Sequence, residues 1–94
     1  MIDTSYLMKI KGGLRRGGQK EVAIGLMCSP ARVSLALSGQ RDDEDVVRAT
    51  ENRILTDGNI TITDYMNIGI EIMKHRGAEN PRQALVQEIL KFII

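Results

Sequence analysis

The residues that could do chemistry in this 94-residue chain are few, and the reactive ones stand alone. His75 is the single histidine and Cys28 the single cysteine. Nucleophilic catalysis needs a base in reach of the nucleophile and a third group that orients the base, and one histidine leaves no such set to assemble. One cysteine excludes an internal disulfide, and together the two residues leave zinc too few donors. Cys28 is expected as a small buried apolar residue. His75 is expected near a helix end, where positive charge is favourable. The carboxylates Asp42 to Asp45 form a run. Consecutive acids at a helix start match the positive end of the helix dipole better than they match a metal shell. "KGGLRRGGQK" at 11–20 is basic and glycine-rich like a phosphate-cradling loop, but it lacks the strand before it and the closing Gly-Lys-Ser/Thr. The expectation is a chain with no catalytic residue, no metal and no cofactor, and so not an enzyme.

What remains is charge, and it is uneven. The formal net charge is +1. Residues 1–41 carry seven basic side chains (Lys9, Lys11, Arg15, Arg16, Lys20, Arg32 and Arg41) against Asp3 and Glu21, a balance of +5. Residues 42–94 carry six against ten, a balance of −4. The basic front half is the candidate surface for a polyanion.

The elements that must position these charges read as helices. Asp3 or Thr4 caps a first helix whose Tyr6, Ile10 and Leu14 fall on one face. Gly12 and Gly13 inside it weaken it by about 1 kcal/mol each, which implies a close neighbour or an early stop, and Gly17-Gly18 ends it. A second helix begins near Gln19 with Val22, Ala23 and Leu26 inward and ends near Met27. Ser29 as cap and Pro30 at the first helical position open a third, which runs to about Ser38 with Val33, Ala36 and Leu37 inward and closes at Gly39. "DDEDVVRATENRIL" starts a fourth, with the four acids in its first turn. "TDGN" at 56–59 is a turn and the candidate boundary. Residues 60–72 fit strand alternation through Ile60, Ile62, Met66, Ile68, Ile70 and Ile72. They also fit one helical face through Tyr65, Ile68, Gly69, Ile72 and Met73. A helix from Asp64 to about His75, capped by Thr63, is preferred. Pro81 opens a last helix with Leu85, Val86, Ile89, Leu90, Phe92 and Ile93 on a broad apolar side. The C-terminal third is more apolar than a small core needs, which points to a partner, and a second copy is the simplest one.

Residues 19–41, "QKEVAIGLMCSPARVSLALSGQR", resemble the helix-turn-helix of the phage Cro and repressor family. Gln19 stands at the motif's start, Ala23 where the two helices touch, Leu26 three further on, and Cys28 at the apolar turn position. Ser29 opens the recognition helix, Val33 is its buried β-branched residue, and Gly39 follows it. The likeness extends over about residues 4–55. It departs at the turn, where the family usually has Gly with positive φ and this chain has Met27. A non-Gly residue in that region costs roughly 1–2 kcal/mol.

The resemblance implies an all-α fold, a lambda repressor-like helix-turn-helix bundle with two additional C-terminal helices. The division expected is a DNA-binding domain at 1–57 and a helical extension at 58–94, packed on it and dimerising it. The third helix would enter the major groove while the second crosses the backbone. Implied DNA contacts are Arg16, Gln19, Lys20, Ser29, Ala31, Arg32, Ser34, Leu35, Ser38, Gln40 and Arg41. Pro30 also lies on the base-facing side. Gln19 and the second helix's N-terminus would hold a phosphate. Readout would rest on thymine methyls against Ala31 and Leu35, on the serine hydroxyls, and on DNA shape. Leu85, Ile89, Phe92 and Ile93 are the expected dimer contacts. The partners implied are double-stranded DNA and a second copy, with transcriptional repression in a phage or bacterium as the role. No run of ~18 apolar residues spans a membrane and nothing resembles a signal peptide, so a cytoplasmic setting is expected. The alternative, supported by the plain recognition face and the apolar tail, is a protein-interaction module on the same scaffold, such as a phage-encoded inhibitor or an assembly factor.

Overall fold

Short polar side chains start most of the helices. In the computed structural model, which describes residues 3–14, 17–57 and 60–93, Phe92 and Ile93 through their backbone, the described residues form six α-helices and no strand. They are α1 (Thr4–Gly13), α2 (Gly18–Gly25), α3 (Pro30–Leu37), α4 (Glu44–Leu55), α5 (Ile62–His75) and α6 (Pro81–Ile93). Asp3 accepts from the Ser5 N–H at 2.7 Å, and Ser29 Oγ from Arg32 N–H at 3.3 Å. Asp43 accepts from Val46 N–H at 3.3 Å, Thr61 from Asp64 N–H at 3.2 Å and Asn80 from Gln83 N–H at 3.2 Å. Each of these bonds satisfies one of the donors that a helix start leaves free. The exception is α2. Its cap is Gly17 at φ +83°, with no side chain on the free N–H groups.

Three helices end in the same way. In α3 the residue after the cap is Gly39 at φ +81°, and in α5 it is Gly77 at φ +81°. Gln40 N–H returns to Leu35 O at 3.0 Å, and Ala78 N–H to Met73 O at 3.1 Å, the six-to-one bond of a Schellman motif. At the end of α2 the same bond runs from Cys28 N–H to Ala23 O at 2.9 Å, but the left-handed residue is Met27, at φ +54°. The turn therefore keeps the glycine-type backbone and places a methionine in it. The Met27 side chain is 94% exposed, so no burial offsets that conformation.

The chain divides into two compact units, Met1–Thr56 and Asp57–Ile94. In the first, α4 packs against α1, α2 and α3. The core joins Tyr6, Leu7 and Ile10 to Val22, Ala23, Val33, Ala36 and Leu37, and all of these to Val46, Val47, Ile54 and Leu55. Polar groups also go inside with hydrogen bonds made. The Tyr6 hydroxyl donates to the buried Glu51 carboxylate, and Thr50 Oγ1 donates to Val46 O at 2.8 Å. In the second unit α5 packs against α6 through Gly69, Ile72, Met73 and Leu85. A Cβ at Gly69 would lie 2.6 Å from Leu85 Cδ1, so the glycine lets the two helices approach closely.

Several boundaries differ from expectation. α1 stops at Gly13 and Leu14 is extended, and nothing lies within 4 Å of a Cβ at Gly12, so Gly12 belongs to an early stop rather than to a close approach. α2 ends at Gly25, two residues before Met27, because the Schellman turn takes up the last residues. α4 begins at Glu44 with Asp43 as cap, so two of the four acids, Glu44 and Asp45, lie in the first turn. α5 starts at Ile62, capped by Thr61 and not Thr63. Residues 62–72 are helical, since Gly69, Ile72 and Met73 share a face that only a helix brings to Leu85. Leu26 and Cys28 are half-buried rather than inside the core. Among the described residues no helix is long and apolar enough to cross a membrane.

Candidate nucleic-acid interface

The outward face of α3 is built by burying the other one. Val33, Ala36 and Leu37 are essentially inaccessible in the first unit's core. That fixes Ala31, Ser34, Leu35 and Ser38, at i, i+3, i+4 and i+7, on a single solvent-facing row. Ala31, Ser34 and Ser38 are exposed, Leu35 is 40% exposed, and Pro30 is exposed at the helix start. Ser38 Oγ donates to Leu35 O at 3.1 Å, which leaves its oxygen as an acceptor toward any ligand. Ser29 is spent on capping α3.

α2 packs against α3. Gln19 is half-buried in its first turn and Lys20 is exposed. With Gly17 as cap, the first N–H groups of α2 carry no side-chain partner and retain their partial positive charge. Lys11, in the last turn of α1, is also exposed. Arg16 lies outside the described residues, as does Arg15.

The arginines on the other flank are occupied. Arg32 Nε donates to Asp43 Oδ2 at 2.7 Å and Nη2 to Asp43 Oδ1 at 3.1 Å. Arg32 Nη2 also lies 4.0 Å from Asp45, and Arg41 Nε lies 3.7 Å from Asp43. The hydrogen bonds from Arg32 hold the Asp43 carboxyl below the usual carboxylate range; its burial opposes this, and the Val46 N–H and the charges of Arg32 and Arg41 add to it. The same hydrogen bond pushes the Arg32 guanidinium up, against desolvation. Between α3 and α4, Arg32 therefore faces Asp43 and Asp45, and Arg41 faces Asp43. Gln40 and Arg41 are exposed after α3, beside a cleft of about 70 Å³ lined in part by Leu7, Ala36 and Val47. Lys11 and Lys20 lie on α1 and α2, whereas Arg32 and Arg41 are ion-paired with Asp43.

The structure brings Ala31, Ser34, Leu35 and Ser38 together as one face and draws Arg32 and Arg41 to a carboxylate. Arg32 is held in a tertiary ion pair with Asp43. Asp43 was not singled out in the sequence beyond its place in an acidic run. Its cap role has a signature, an Asp three residues before the apolar Val46. Its partner, eleven residues back, has none. The Arg53–Glu21 ion pair between α4 and α2 likewise follows no local spacing. Of the expected dimer contacts, Leu85 is fully buried by α5 within its own chain and is not available to a second copy. Ile89 is half-buried, Val86 and Leu90 are 43% and 45% exposed, and the Phe92 and Ile93 side chains lie outside the described residues. No group of three or more metal-ligating side chains converges among the described residues. Comparison of the chain with family models, with curated proteins and with solved structures finds no match.

Proposed function

We propose that residues of about 4–55 form a helix-turn-helix domain of the Cro and phage-repressor type, and that the chain is a sequence-specific DNA-binding regulator of transcription, a repressor acting as a dimer. The observation that carries this reading is the outer row of α3. It is a helix face held rigidly to solvent by a buried opposite face, and it carries only small or aliphatic side chains at its centre. A helix with its side chains is about 10–12 Å across and the major groove about 12 Å wide, so short side chains allow the backbone to approach the base edges. Ala31 and Leu35 offer apolar surface to thymine methyls, and Ser34 and Ser38 offer polar oxygens. Phosphate anchoring comes from the open N-terminus of α2, Lys20 and Lys11. Self-association uses the exposed part of α6, with Val86, Ile89 and Leu90 in place of Leu85.

Repeated selection from a pool of randomised duplexes tests this. The pool converges on a near-palindromic sequence whose half-sites lie about one helical turn, ~34 Å, apart. A pool that stays random while the protein remains folded contradicts the proposal. A second reading, docking to another protein, is supported by the exposure of Ile24 (67%), Met27 and Leu35 on α2, the turn and α3. It requires that Ile24→Asp abolish partner capture while leaving duplex binding absent in both proteins.

A further inference from the structure

We infer that Asp43 sets the specificity of the DNA interface by holding Arg32 away from phosphate. The inference rests on the DNA-binding reading of the same face. Arg32 is the third residue of α3, in the turn of the recognition helix that would enter the groove first. A free arginine there would be a strong phosphate or guanine ligand. It is not free. Two of its nitrogens meet both oxygens of one carboxylate, at 2.7 and 3.1 Å. That carboxylate cannot follow the arginine outward. Asp43 is only 8% exposed, and its Oδ1 also takes the Val46 N–H at the start of α4, the helix that packs on α1, α2 and α3. Arg41 is the looser neighbour, at 3.7 Å with a side chain 56% exposed.

The consequence concerns the balance between reading and sticking. Binding to any duplex is driven by released counterions, and each phosphate neutralised steepens the salt dependence by about 0.9. A cation kept on Asp43 contributes nothing to that term. The outer row of α3 reads base edges with uncharged groups and is unaffected. Non-specific affinity falls more than specific affinity, and the ratio of the two rises. Asp43 and Arg32 are positioning residues, and neither is a base contact.

The test is the salt slope of binding to a random-sequence duplex for the full chain and four variants. Asp43→Asn keeps a capping side chain on α4 but removes the charge that holds Arg32. Its slope steepens by about 0.9, and the loss of affinity between 50 and 200 mM salt grows by a further ~3-fold. Arg32→Gln leaves the slope at the wild-type value, because the wild-type arginine neutralises no phosphate. The double variant Arg32→Gln/Asp43→Asn is shallower than Asp43→Asn by about 0.9, which separates the share of Arg32 from that of Arg41. Asp42→Asn, which removes one nearby charge without freeing Arg32, raises affinity but leaves the slope unchanged. A wild-type chain that binds DNA, with an Asp43→Asn slope equal to its own, overturns this inference alone. So does an Arg32→Gln slope shallower by about one. A wild-type chain that binds no duplex at low salt overturns the DNA reading and this inference with it.

Discussion

Met27→Gly stabilises the first unit, although it removes a methionine and adds the most flexible residue. Three helices of this chain end in Schellman turns, and two of them place Gly at the left-handed position, Gly39 and Gly77 at φ +81°. The third places Met27 there at φ +54°. A side chain in that region costs roughly 1–2 kcal/mol. Glycine removes this cost but orders a freer unfolded chain, which takes back about 0.5–1 kcal/mol. The methionine side chain is 94% exposed and its removal costs little burial. The net gain lies at about 0–1.5 kcal/mol, and its midpoint of about 0.75 kcal/mol corresponds to a rise in Tm of about 3–6 °C for a unit of this size. Met27→Ala is the control, since alanine keeps the strain and loses the same exposed side chain. The assay is thermal and urea unfolding followed by circular dichroism, with the urea m-value required to stay constant. A Gly variant no more stable than the Ala variant would mean that the turn imposes no left-handed cost on Met27.

Gly69→Ala destabilises the second unit by about 1–3 kcal/mol, because the new Cβ would stand 2.6 Å from Leu85 Cδ1 and must displace that fully buried side chain; urea unfolding that leaves the midpoint unchanged contradicts the close approach. Asp43 gives acid stability its shape. Its folded pKa is depressed, so its contribution is complete above the unfolded value of about 3.9 and is lost as pH falls through the lower folded value. Asp43→Asn therefore flattens the acid limb of a stability-versus-pH curve below pH ~4, and an unchanged limb contradicts the assignment. Lys20→Gln reduces the salt slope of duplex binding by about one, whereas Glu79→Gln on the second unit leaves it unchanged; equal slopes in wild type and Lys20→Gln remove the α2 side from the interface.

The order of the helices could be read from caps and breakers because those signals are local. Ser29-Pro30 and Gly39 bracket α3, and Pro81 opens α6, with no help from the rest of the fold. Boundaries failed where two residues offered the same chemistry. Thr61 and Thr63 can each cap a helix, and the structure uses the earlier one. Four acids in a row could all start α4, and Asp43 is the one that faces Arg32 from α3. The choice between strand and helix at 60–72 was open because isoleucines satisfied both periods. It is settled by the tertiary contact of Gly69 with Leu85. The outer row of α3 followed from its inner face by periodicity alone. The fate of its charges did not, since Arg32 and Asp43 meet only after α3 and α4 have packed. For the same reason an apolar stripe on α6 could not show that Leu85 serves its own chain while Val86 and Leu90 remain outside.

The central claim is tested most directly by fluorescence anisotropy of a labelled random-sequence duplex titrated with the full chain at two salt concentrations. Micromolar binding is expected at low salt, weakening steeply at the higher one as phosphate contacts from α2 and Lys20 release counterions. A folded protein that leaves the anisotropy unchanged at low salt contradicts DNA binding and directs attention to a protein partner for the exposed Ile24, Met27 and Leu35.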